Sequence, residues 1–201
     1  MALTQIKLGG LAANSVDSDA YVDGSIDNAH LANDAKVGWN FLEKNTEQNV
    51  SEIDFTDVFS SSYDLYCLRV NEWISATDNV YIRLRFITAG GVQSGAGEYA
   101  YEGYGYASDS ASQDSIYIFD GTSNDTPAFF SLYIVRPTDT DFNTHCYWMV
   151  GADRQGTSPQ VNRAGGAGVW ENTSAAVTGM RLDANTGNVY HVGSLYGLRE
   201  S

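Results

Sequence analysis

The chain has 201 residues, 43% of them hydrophobic, enough to bury one core of ordinary size with residues left for an appendage. Acidic residues outnumber basic ones 25 to 11, and the net charge of −14 argues against a nucleic-acid binder, which needs a cationic face to displace counterions from phosphates. The same charge disfavours anionic membrane surfaces, and no apolar run approaches the ~20 residues of a spanning helix, so membrane insertion is not expected.

The N-terminus, MALTQIKLGGLAANS, carries one lysine and an apolar stretch broken by two glycines. That is a poor signal peptide, and it reads as a mature N-terminus. Ile6, Leu11, Val16, Tyr21, Ile26 and Leu31 then stand five residues apart, with small or polar residues in nearly every gap. An α-helix advances ~100° per residue, so each step rotates the apolar position by ~140° net and no face forms. In a strand an odd step flips successive apolar residues to opposite sides. Ser15-Val16-Asp17 recurs ten residues on as Ser25-Ile26-Asp27. A repeat stack this short cannot bury its own side chains. Residues 1–38 are therefore expected to form an extended arm, its six apolar residues anchored against other copies or a larger assembly. A linker with coincidental spacing is the alternative. The stretch DGSIDNAHLA, Asp23 to Ala32, resembles short repeats near the N-termini of bacteriophage virion proteins, marine-type fibre and appendage proteins above all.

From Trp39 to the end, residues 39–201, apolar residues alternate with polar ones and turn residues recur. Strands are predicted near 51–55, 63–73, 80–87, 98–106, 115–119, 128–136, 145–150, 168–170, 177–182 and 189–198. The alternation is clearest in VYIRLRF, where Val80, Ile82, Leu84 and Phe86 should face inward, with Tyr81, Arg83 and Arg85 outward. Asn185-Thr186-Gly187-Asn188 reads as a tight hairpin turn between the last two strands. The predicted fold is all-β: an antiparallel, jelly-roll-like sandwich behind an extended arm of five-residue repeats. A parallel βα fold would need helical crossovers, and no sustained 3.6-residue period is present.

The pairing of Ile53-Asp54-Phe55-Thr56-Asp57 with Tyr63-Asp64-Leu65-Tyr66 resembles the opening of the jelly-roll domain of many phage tail and fibre proteins, and Val80–Phe86 its next strand. Thr178–Leu182, Gly187-Asn188 and Ser194–Leu198 resemble the terminal hairpin of that group. The resemblance implies a homotrimer, located in the virion after assembly in the host cytoplasm. The arm would bind other virion proteins of tail or capsid, and the head would face a host surface glycan or protein. Residues 90–168 match that group least, so their loops are where specificity is expected.

Few residues suggest chemistry. His30, His145 and His191 are scattered, and Cys67 and Cys146 sit in apolar runs as expected buried free thiols. Asp19, Asp23 and Gly24 occupy positions of an EF-hand loop, but Tyr21 and His30 stand where oxygen ligands are required. Gly193-Ser194-Leu195-Tyr196-Gly197 has its serine one position wrong for a nucleophile elbow. No catalytic residue, metal site or cofactor is expected. The most suggestive surface stretch is EYAYEGYGY. There Tyr99, Tyr101, Tyr104 and Tyr106 could stack on a sugar or a partner, with a packed tyrosine ladder as the alternative. Trp148 and Trp170 are expected in the core or an interface. The function expected is that of a non-enzymatic virion structural protein, a trimeric tail fibre or tail appendage. A capsid-attached head fibre or decoration protein is the alternative placement, and a carbohydrate-binding module the alternative class.

Overall fold

β-Branched and aromatic residues at alternate positions, punctuated by Gly, Asn and Asp, make this body a set of strands rather than helices. The computed structural model describes residues 38–105, 110–122, 124–153 and 161–199. The arm, with Ile6, Leu11, Val16, Tyr21, Ile26 and Leu31, lies outside the described residues, as does Tyr106. The strands are β1 (Gly38–Val50), β2 (Glu52–Phe55), β3 (Leu65–Ser75), β4 (Val80–Thr88), β5 (Gly91–Val92), β6 (Tyr99–Gly105) and β7 (Ser110–Gln113). They continue with β8 (Ile116–Thr122), β9 (Ala128–Val135), β10 (Thr144–Asp153), β11 (Val161–Trp170), β12 (Val177–Ala184) and β13 (Val189–Arg199). Every pairing between them is antiparallel.

The larger sheet has eight strands in the order β1-β13-β3-β9-β10-β11-β6-β7, and the smaller has five, β2-β12-β4-β5 with β8 also on β4. One core joins them. Trp73, Trp148, Trp170, Tyr66 and Tyr99 of the larger sheet meet Phe55, Phe86 and Phe119 of the smaller, all fully or almost fully buried. Each such side chain contributes roughly 1.5–3 kcal/mol by leaving water. Tyr99 also spans the layers: its hydroxyl accepts from the Phe86 amide at 2.9 Å and donates to the Gln93 carbonyl at 3.0 Å.

In β4 the alternation is as expected, with Val80, Ile82, Leu84 and Phe86 buried. Arg85, on the other side, is buried too, because two carboxylates close over it. Three expectations need correction. The stretch GWNFLEKNTEQNV, not expected as a strand, is β1; bulges at Phe41/Glu43 and Gln48/Val50 break its period of two. β11 begins at Val161, seven residues before the strand predicted there. Its RAGGAG sequence suits a strand because neighbouring side chains occupy the space above it: a Cβ on Gly165, Gly166 or Gly168 would strike Tyr104, Trp148 or Ile116. Finally, Asn185–Asn188 does not close a hairpin. β12 pairs with β2 and β4, whereas β13 pairs with β1 and β3, so the turn carries the chain from one sheet to the other. Gly187, at φ +77°, supplies the left-handed residue this turn requires.

Candidate functional site

The two outward faces differ sharply in chemistry. On the smaller sheet, Asp183 lies 2.6 Å from both Arg83 and Arg85, and Arg85 also reaches Asp114 at 3.1 Å. Arg181 next to them pairs with Asp54 and Glu52. Burial pushes the Asp183 carboxyl up, and the flanking guanidiniums pull it back toward the ionised form. These acids are committed to structural ion pairs rather than poised for proton transfer.

The larger sheet presents rings and aliphatic side chains. In antiparallel pairing, directly opposed residues share a side, so the register assembles rows from residues far apart in sequence. One row runs Trp39, Leu198, Leu65, Val135, His145, Val169. The next runs Phe41, Tyr196, Cys67, Tyr133, Tyr147, Ala167. The third, Lys44, Ser194, Arg69, Ser131, Met149 and Gly165, brings in the cations Lys44 and Arg69.

The rings touch one another. Tyr133 and Tyr147 stack with centroids 4.6 Å apart and planes 7° from parallel. Trp39 lies 6.3 Å from Tyr133, and Phe41 meets Tyr196 edge-on at 5.8 Å. Phe129 covers Gly151 and Tyr104 covers Gly165, each occupying the volume a Cβ would need. Among the described residues, six of the seven large hydrophobic side chains that stand exposed are on this face: Trp39 (48%), Phe41 (58%), Tyr104 (58%), Phe129 (52%), Tyr147 (43%) and Met149 (66%). Two depressions flank Arg69, one of about 500 Å³ beside Phe129 and Met149, the other of about 420 Å³ beside Trp39 and Tyr133.

The four tyrosines expected at the surface separate. Tyr99 and Tyr101 are 0% and 6% exposed, so their expected role as outward contacts is corrected. β6 pairs with β11 without a bulge from Tyr99 to Gly105, so odd positions turn into the core and Tyr104 turns out. Tyr101 stacks on Tyr117, which meets Tyr81 at a tilt with centroids 4.8 Å apart, as the packed-ladder alternative has it. Only Tyr104 joins the exposed face, and Tyr106 lies outside the described residues.

Of the other residues singled out above, Asp19, Asp23, Gly24 and His30 lie outside the described residues. Trp148 and Trp170 are core residues, 2% and 0% exposed. Cys67 and Cys146 are both buried free thiols on opposite sides of the larger sheet. Burial pushes Cys67 up and Cys146 up to about 12, which disfavours the thiolate in both. His191 is fully buried with both ring nitrogens unpartnered, and His145 is exposed. Among the described residues no cluster of His, Cys, Asp or Glu could hold a metal ion.

The apolar face escaped sequence reasoning, although a signal was present. AFFSLYIV in β9 and CYWMV in β10 are apolar at consecutive positions, so both sides of each strand are apolar. An antiparallel strand of that kind has a second surface to cover. Compared with protein-family models, curated proteins and solved structures, the chain matches none.

Proposed function

We propose that the chain is a non-enzymatic structural protein of a bacteriophage virion, a trimeric tail fibre or tail appendage. In this reading residues 1–38 are the assembly arm, held among copies and other virion proteins, and residues 39–201 are a jelly-roll-like head that meets the host surface. The observation that carries it is the larger sheet's exposed face, where six large hydrophobic side chains stand on a chain of net charge −14. Contiguous apolar surface on a soluble monomer rarely exceeds a few hundred Å2, and larger patches mark contacts. The pentad spacing of Ile6 to Leu31 supports an arm that is buried only in company. The route of β2, β3 and β4, then of β11, β12 and β13, switches sheets at each step, which supports the jelly-roll comparison. Cleavage of a host glycan would need two carboxyls ~5–9.5 Å apart with one kept protonated. Asp54, Glu52, Asp114 and Asp183 face guanidiniums instead.

Antibody raised against the full chain, applied to phage particles released from cells that make the protein, should label the tail or its appendages. Label on the capsid moves the protein to the head-fibre or decoration reading, and an unlabelled particle overturns the virion assignment. A carbohydrate-binding module is favoured by one observation, the exposed rings of Phe129 and Tyr104 close over Gly151 and Gly165, which a sugar could stack on. Retention of the protein on arrayed glycans distinguishes it.

A further inference from the structure

Among the described residues nothing covers the outward face of the larger sheet, and its composition says what does. The geometry points to a second copy of this chain: we propose that heads associate with one another through this face. The inference rests on the self-assembly part of the proposed function and deepens it, because it moves the contact from the arm alone to named residues of the head.

Three observations select a copy over other occupants. First, area. A large aromatic side chain offers ~150–250 Å2, so the six exposed side chains leave on the order of 600 Å2 in water. The ~800 Å2 that each partner contributes to a stable interface is then nearly met before the half-buried Tyr133, Tyr196 and Leu198 between them are included. Second, residue type. Trp, Tyr, Phe, Met and Arg are the types enriched in the cores of protein–protein contacts, and Trp39, Tyr147, Phe129, Met149 and Arg69 are what the register places here. The aliphatic Leu65, Val135 and Val169 among them offer no hydrogen bond to a polyol, so a protein fits better than a glycan.

Third, charge. The described charged side chains that the register sets on this face are Lys44, Arg69 and Arg163 against Glu72 and Glu102. The chain as a whole carries 25 acids against 11 bases. Two copies meeting elsewhere on average bring like charge against like charge, whereas here opposite charges come close to balancing and repulsion is least. Trp39 and Phe41 lie at the very start of β1, immediately after the arm in sequence. Copies joined through their arms would therefore hold their heads at high effective concentration, so a face of this modest size suffices.

The test compares the intact chain with Phe41→Glu and Met149→Glu by analytical ultracentrifugation over a range of concentrations. Both side chains are more than half exposed and on different strands, so the fold tolerates the changes, with thermal midpoint and near-ultraviolet circular dichroism as controls. The intact chain should sediment at a multiple of 21.8 kDa, and each variant should dissociate at concentrations at least tenfold higher. Tyr81→Glu, on the outward side of the smaller sheet, should leave association unchanged. A folded variant pair that keeps the wild-type mass overturns the head interface while leaving an arm-based trimer standing. A monomeric intact chain at all concentrations overturns both.

Discussion

At the scale of single residues, His191 is a buried imidazole that the fold keeps neutral. His191 is wedged edge-on against Phe55 and Trp73, its ring over Gly193, with no hydrogen-bond partner on either nitrogen. Burial lowers its pKa from 6.5 to about 4. Between those values the unfolded chain binds a proton that the folded chain refuses. Its contribution to stability is therefore whole above pH 6.5 and lost as pH falls toward 4, a loss of about 3 kcal/mol. His191→Leu should flatten that part of the urea-denaturation profile and cost nothing at pH 7. A variant as steep as wild type between those pH values contradicts the assignment. Asp183 is the opposite case, a buried charge that two guanidiniums need. Asp183→Asn should lower stability by roughly 3 kcal/mol, the low end for breaking a buried pair because Arg85 retains Asp114. A loss under ~1 kcal/mol, the value of a surface pair, would show that water already screens it.

At the scale of elements, legibility followed how local the signal was. β4 could be read because Val80, Ile82, Leu84 and Phe86 turn one way over seven residues, and nothing outside that window is needed. β1 could not, because its bulges shift the period and its polar residues suit an edge strand with solvent beside it. β11 was half hidden by glycines whose purpose is visible only beside β6 and β10, where rings fill the space a side chain would take. Gly166→Ala should therefore cost about 1–3 kcal/mol, since its Cβ would meet the Glu102 carbonyl and the Trp148 ring. Hydrogen exchange should show the amides of Tyr99–Gly105 losing protection ahead of β9; uniform loss across the larger sheet would contradict a local clash. The tyrosine cluster was legible as a cluster but not as a surface. Its sequence cannot say whether 99 and 101 or 102 and 104 turn outward until the pairing with β11 decides it.

At the scale of the whole molecule, the candidate site was the least legible part. Trp39, Tyr133, Tyr147 and Tyr196 come from four strands spread over most of the body's length, and only the register unites them. The same scale sets the energetics of assembly. Copies of a −14 chain repel through the bulk of their surface, while the apolar face attracts at short range. The Debye length falls from ~10 Å at 0.1 M salt to ~3 Å at 1 M, so added salt removes repulsion and leaves the apolar contact intact. The most direct measurement is thus the sedimentation mass of the intact chain across a sodium chloride series. The expected result is a multiple of 21.8 kDa whose dissociation midpoint moves to lower protein concentration as salt rises. A 21.8 kDa monomer at every salt concentration, or an oligomer that salt dissolves, would contradict a contact made by that face.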